Sequence, residues 1–338
     1  DESGILKIDS RDAFKKEVLL TKEQLTPTGK SPLRVRRFAL SDDKQKVLLN
    51  TNTKRVWRYD TRGDYWVFDK KTQKLQELGK GRPASSLMFA KFSPDASKVA
   101  YVSEHNIYVE SLETGDIKAL TTDGTSRLIN GTFDWVYEEE FGCRDGFRWS
   151  PDGNHIAYWQ LDARQIKNYL MINNTDSLYP FTIPVEYPVV GEDPSSCRIG
   201  VVATSGGGTK WMNVPGSPVQ HYIPRMEWVQ NGEQLILQQL NRRQNESKIM
   251  LCNIKSADVS TIHQETESTW IDIKDRWNDG DPSGWDWLNG GKEFLWVSEK
   301  DGWRHIYAID RKGRERLITK GDYDIINIAR IDAKDNKV

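Results

Sequence analysis

Long hydrophobic runs, an excess of either charge, and paired cysteines are all missing from this sequence, and each absence removes a class of protein. The 338 residues contain no apolar run of the roughly 18 residues that a membrane-crossing helix needs, so no membrane span is expected within them. Lys+Arg total 48 against 49 Asp+Glu, a formal net charge of -1. A nucleic-acid binder displaces phosphate counterions with a basic surface, and a balanced chain has none to offer. The three cysteines, Cys143, Cys197 and Cys252, are odd in number and far apart. They make neither a disulfide framework nor a zinc site, and read as buried free thiols. His105, His155, His221, His263 and His305 show no metal-ligand spacing. No metal or cofactor is expected. The nucleophile elbow GxSxG is also absent. The Gly-rich SGGGTK from Ser205 lacks the frame that cradles phosphate, and reads as a hairpin turn between two strands.

What the chain has in quantity is aromatic residues: 13 Trp, 12 Tyr and 10 Phe. Such side chains bury large areas and are scarce in disordered chains, so a folded protein is expected despite the polar average. It also has a repeat. FSPDASKVAYV from Phe92 is echoed by WSPDGNHIAYW from Trp149. Weaker copies are FALSDDKQKVLLN from Phe38, WVQNGEQLILQ from Trp228 and WLNGGKEFLWV from Trp287. Each is an aromatic, a tight polar turn and a strand. A second phrase follows, as in NIYVESLETGDIKAL and HIYAIDRKGRERLIT, which reads as strand, turn, strand. Aligned at Ser41, Ser93, Ser150, Val229 and Leu288, the repeats begin 52, 57, 79 and 59 residues apart, and a sixth starts near Asp332. Four-stranded units at such spacing predict an all-β fold, a β-propeller of four-stranded blades. Residues 1–30 are expected to supply part of a further blade. Helical periodicity is confined to Arg11–Glu23, which reads equally well as strand.

Function is expected where the repeat is interrupted. The segment GTFDWVYEEEFGCRDG holds Glu138, Glu139 and Glu140 in succession between Trp135, Tyr137 and Phe141. It reads as a loop joining one blade to the next. Adjacent carboxylates repel, and held against an aromatic wall they favour a cation such as an ammonium group. A second insertion, TNTKRVWRYDTRG, carries Arg55, Trp57, Arg58 and Arg62. Connectors from strand two to three and from blade to blade leave by one face of a propeller, which places Arg58 and the glutamates on a common face. A third interruption runs from Arg164 to Tyr222.

DWVYEEE, preceded by ALTTDG and followed by WSPDG, resembles the glutamate motif of the dipeptidyl peptidase IV family, of the prolyl oligopeptidase clan of serine peptidases. VWRYDTRGDYWVFD resembles the family's arginine-bearing segment, and AYWQLD, INNTDSLYP, YIPRMEW and EKDGWRHIY resemble its bacterial members. The resemblance implies that residues 1–338 are the N-terminal, substrate-gating β-propeller, incomplete relative to an eight-bladed parent. It implies a C-terminal α/β-hydrolase domain that these residues do not contain. Glu139 and Glu140 would salt-bridge the free N-terminal ammonium of a peptide, and Arg58 would bind a carbonyl oxygen near the penultimate bond. Together they would place the bond after residue two, in Xaa-Pro or Xaa-Ala peptides, at the serine of the hydrolase domain. The triad is not within these residues, so the chain alone is expected to be inert. A parent homodimer and export to the periplasm are further implications. The alternative is a stand-alone binding or scaffold propeller with no catalysis.

Overall fold

The computed structural model describes residues 4–56, 58–273, 285–329 and 331–332. Trp57, and the residues after Asp332 where a sixth repeat is expected, lie outside these. The chain divides into two compact units, Asp1–Ala119 and Leu120–Val338.

The first unit opens with a two-stranded antiparallel sheet of β1 (Ile5–Asp9) and β2 (Lys15–Leu20), so the ambiguous Arg11–Glu23 stretch contributes a strand. Then come β3 (Arg37–Leu40), β4 (Lys46–Val56), β5 (Tyr59–Asp69) and β6 (Lys74–Glu77), paired in succession, and likewise β7 (Leu87–Phe92), β8 (Lys98–Ser103), β9 (Asn106–Ser111) and β10 (Ile117–Ala119). The two meanders touch as sheets through Gly63 and Leu87.

The second unit holds β11 (Leu128–Asn130), α1 (Trp135–Phe141), β12 (Phe147–Trp149), β13 (His155–Asp162), β14 (Asn168–Asn173), β15 (Phe181–Glu186), β16 (Ser196–Ala203) and β17 (Lys210–Trp211). Two further meanders follow: β18 (His221–Trp228), β19 (Gln234–Asn241), β20 (Glu246–Asn253) and β21 (Val259–Thr266), then β22 (Asp286–Leu288), β23 (Glu293–Ser298), β24 (His305–Asp310) and β25 (Glu315–Leu317). Among the described residues each of the five repeats thus contributes a set of antiparallel strands to an all-β fold of the propeller type. SGGGTK is the turn expected of it, pairing Val201 with Lys210.

The same hydrogen-bonded turn recurs in every repeat. The fourth residue's N–H donates to the first residue's carbonyl: Lys44 to Ser41, Ala96 to Ser93, Gly153 to Ser150, Gly232 to Val229 and Gly291 to Leu288, at 2.8–3.0 Å. That fourth residue has φ between 52° and 81° in all five. Such a turn followed by a left-handed residue connects antiparallel strands without splaying them. In three repeats a serine fixes it further. The hydroxyls of Ser41, Ser93 and Ser150 donate to Asp43, Asp95 and Asp152 at 2.5–2.6 Å. They accept from the N–H of Lys46, Lys98 and His155 at 2.9–3.0 Å.

Alternation explains why the second strand of each blade is apolar without a break. Val47 and Leu49 pack with Leu20 and Phe68, while Leu48 between them packs with Leu87, Val99 and Tyr101 of the next blade. In the second unit Leu235 and Leu237 meet Trp159 and Ile199, while Ile236 meets Phe294 and Trp296. Successive strand residues point to opposite faces, and a stacked blade buries both. All three cysteines are free and buried in the second unit. Burial pushes the Cys143 thiol up to about 11 and those of Cys197 and Cys252 to about 12, which keeps them protonated and unreactive.

Candidate functional site: a glutamate helix held beside the third blade

The acidic segment is neither a loop nor a blade connector. Residues Trp135–Phe141 form an α-helix, and the strands on either side of it, β11 and β12, both pair with β13. The helix therefore bulges out of the entry strand of the third blade, and the argument from connector position does not apply to it. The neck is closed by backbone bonds: Gly131 N–H to Trp159 O at 2.9 Å, Trp159 N–H to Gly146 O at 3.0 Å and Gly146 N–H to Gly131 O at 3.0 Å. A Cβ on Gly146 would lie 2.7 Å from the carbonyl carbon of Gly131, so only glycine lets the two chains approach this closely.

Helix α1 begins with Asp134 as N-cap, in extended conformation, its carboxylate accepting from Tyr137 N–H at 3.1 Å and from the Ser195 hydroxyl. It ends at Gly142, in the left-handed conformation with φ 64°, whose N–H returns to Tyr137 O. Asp134 and Gly142 are the signals that sequence reading passed over; a seven-residue helix shows too little periodicity to be seen otherwise. Burial pushes the Asp134 carboxyl up, against the pull of its hydrogen bonds.

The aromatic wall inferred from sequence is present, and it anchors the helix from below. Tyr137, fully buried, stacks on Phe133 at 5.6 Å, meets Phe141 at 5.2 Å, and accepts Ile223 N–H on its hydroxyl at 3.0 Å. Phe141 lies 4.9 Å from Tyr222, and Trp135 lies 4.5 Å from Tyr187.

The glutamates separate by role. Glu138 is buried and forms an ion pair at 3.4 Å with Arg144; burial pushes its carboxyl up while Arg144 pulls it down. Glu139 is half-buried and Glu140 exposed. The first glutamate thus faces the fold, and exposure increases from the second to the third. Arg58 is exposed in the first unit, at the turn between β4 and β5, where Val56 pairs with Tyr59. The insertion around it is a continuation of both strands into a long hairpin. Trp57, beside it, lies outside the described residues. A concavity lined by Glu265, Trp270, Asp272, Ser298, Lys300 and Arg304 holds none of Glu139, Glu140 and Arg58. No metal-holding group of His, Cys, Asp and Glu occurs among the described residues. None of their helices is long and apolar enough to cross a membrane.

A model of the dipeptidyl peptidase IV (DPP IV) N-terminal region matches residues 41–338. The chain belongs to this family. Dipeptidyl aminopeptidase B of Saccharomyces cerevisiae is 29% identical over 243 residues, covering 70% of this chain and 29% of its own length. Dipeptidyl peptidase 4 of Sus scrofa is 28% identical over 312 residues, covering 86% and 40%. The crystal structure of Porphyromonas gingivalis dipeptidyl peptidase 4 superposes with a TM-score of 0.85 and 28% identity, over 98% of this chain and 46% of that one. The chain therefore spans less than half the length of these dipeptidyl peptidases, and corresponds to their DPP IV N-terminal region.

Proposed function

We propose that this chain is the peptide-docking propeller of a serine dipeptidyl peptidase that releases Xaa-Pro and Xaa-Ala dipeptides, and that Glu139 and Glu140 receive the free N-terminus of the peptide. The observation that carries this is the division of labour on α1. Glu138 is turned into the fold and paired with Arg144, while Glu139 is half-buried and Glu140 exposed on a helix capped at both ends. An ammonium held by two carboxylates makes charge-assisted hydrogen bonds, and a blocked N-terminus leaves those carboxylates without their counter-charge. Arg58 is assigned the peptide carbonyl on the sequence resemblance. The nucleophile serine and its partners belong to an α/β-hydrolase domain outside these 338 residues. Export to the periplasm is proposed with the family, and fractionation of the producing cell tests it. A homodimer is also proposed, and the exposed apolar hairpin β14–β15 favours it.

The test is to titrate the 338-residue chain with an Xaa-Pro peptide and with its N-acetylated counterpart. The free peptide is expected to bind more tightly and to remain uncleaved. Glu139→Gln or Glu140→Gln is expected to weaken it about 10- to 100-fold, the range for one charge-assisted hydrogen bond of about 1.5–3 kcal/mol. Equal affinity for the two peptides, or unchanged binding in both variants, overturns the anchor. Equal affinity would favour the stand-alone scaffold.

A further inference from the structure

Helix α1 is built against the grain of helix physics. It has seven residues, too few to be stable in isolation. Glu138 lies in its first turn, but Glu139 and Glu140 fall at the C-terminal half, where the exposed carbonyls already carry partial negative charge, and its last turn contains no basic residue. Acids at this end are unfavourable to the helix, and nearby cations offset them.

They are supplied by two arginines outside the helix. Strand β18 carries a bulge, in which Ile223 and Pro224 stand opposite Gln239 alone. Bulges re-aim side chains and backbone, and this one turns toward α1. Ile223 N–H donates to the Tyr137 hydroxyl at 3.0 Å, and its carbonyl accepts from the Trp159 indole at 2.8 Å. Pro224 O accepts from the Cys143 thiol at 3.2 Å. Arg225 is only 3% exposed, and its guanidinium donates to Phe141 O, the last carbonyl of the helix, at 3.1 Å and to Pro224 O at 2.8 Å. Arg144, just past the helix, pairs with Glu138 and donates to Gly142 O at 3.4 Å.

We propose that Arg225, with Arg144 beside it, is a positioning residue for Glu139 and Glu140: the buried guanidinium on the β18 bulge replaces the missing basic turn and fixes the direction in which the two carboxylates point. It touches no substrate. It acts through the Phe141 carbonyl, and it explains how the chain keeps adjacent glutamates at a negative helix end. This rests on the anchor role given above to Glu139 and Glu140.

The test measures, on the 338-residue chain, the ratio of affinities for free and N-acetylated Xaa-Pro peptide, together with hydrogen exchange across residues 133–143 and the melting temperature. Arg225→Met is expected to lower the ratio at least tenfold and to speed exchange in that segment. Arg225→Lys, which restores the charge with poorer geometry, is expected to recover most of the ratio. Should Arg225→Met not fold, Arg144→Gln is expected to lower the ratio by a smaller factor with the same local exchange signature. An Arg225→Met chain with an unchanged ratio, or one that weakens both peptides equally while melting lower, shows a structural role only and overturns the proposal. If the wild-type chain does not distinguish the peptides, the anchor reading fails by itself. Faster exchange confined to residues 133–143 in Arg225→Met then still supports the hold on the helix, and unchanged exchange refutes it.

Discussion

Lys44 and Ala96 occupy positions where three of the five blades use glycine, with φ of 58° and 52° in the turns after Ser41 and Ser93. A side chain in the left-handed region brings Cβ against the following carbonyl, a cost of about 1–2 kcal/mol that glycine avoids. Glycine also loses more freedom on folding, which returns part of that gain. Lys44 is exposed, so replacing it disturbs no packing. Lys44→Gly is therefore expected to stabilise the chain by a few tenths to about 1 kcal/mol, read as a higher urea midpoint at unchanged slope. A lower midpoint would show that the turn is held by something other than its φ. These turns were the legible part of the fold, because Ser, Pro, Asp and Gly act through their own backbone and leave a local mark. The partners of Glu138–Glu140 were not legible: Arg225 lies 84 residues from the Phe141 carbonyl it caps, and no local pattern joins them.

Whole elements show where local reading stops. The long spacing before the fourth repeat was seen as an interruption, but not what fills it. It is the hairpin β14–β15, with Tyr169, Leu170, Met171 and Ile172 each at least 50% exposed. Its strands carry apolar residues in succession, and of these only Val185 is buried, unlike the alternation that marks a packed strand. A two-stranded ribbon so largely exposed is marginal in water, and its edges invite pairing. If the hairpin joins the two copies of the proposed homodimer, Tyr169→Ser with Ile172→Ser is expected to convert the chain to monomer by sedimentation. The blade turns and the peptide preference should persist. A dimer that survives both substitutions removes the hairpin from the interface. Helix α1 makes the complementary point. Its existence was written in its caps, Asp134 and Gly142, while its place in the middle of an entry strand was not, since β11 is only three residues long.

At the scale of the whole molecule, charge is balanced and spread over the surface. Many ion pairs, such as Lys7–Glu17 and Lys255–Glu233, are exposed on both partners and contribute little. The response of stability to pH therefore falls to a few buried groups. Glu110 is 2% exposed and accepts from Gly79 N–H at 2.8 Å and the Tyr101 hydroxyl at 3.1 Å. Burial raises its carboxyl above the ordinary range, and the two hydrogen bonds oppose that rise without cancelling it. The folded chain thus holds this proton to higher pH than the unfolded chain does. Its contribution to stability is greatest below the unfolded value near 4.5 and is lost as pH rises through the folded value. Glu110→Gln keeps an oxygen for Gly79 and Tyr101 but carries no charge to desolvate. The variant is expected to gain on wild type as pH rises from 4.5 to 7, so that the difference between their urea midpoints widens in its favour. A difference that is flat across this range, or that narrows, would mean that the carboxylate is satisfied where it lies and that the pH response belongs to other groups.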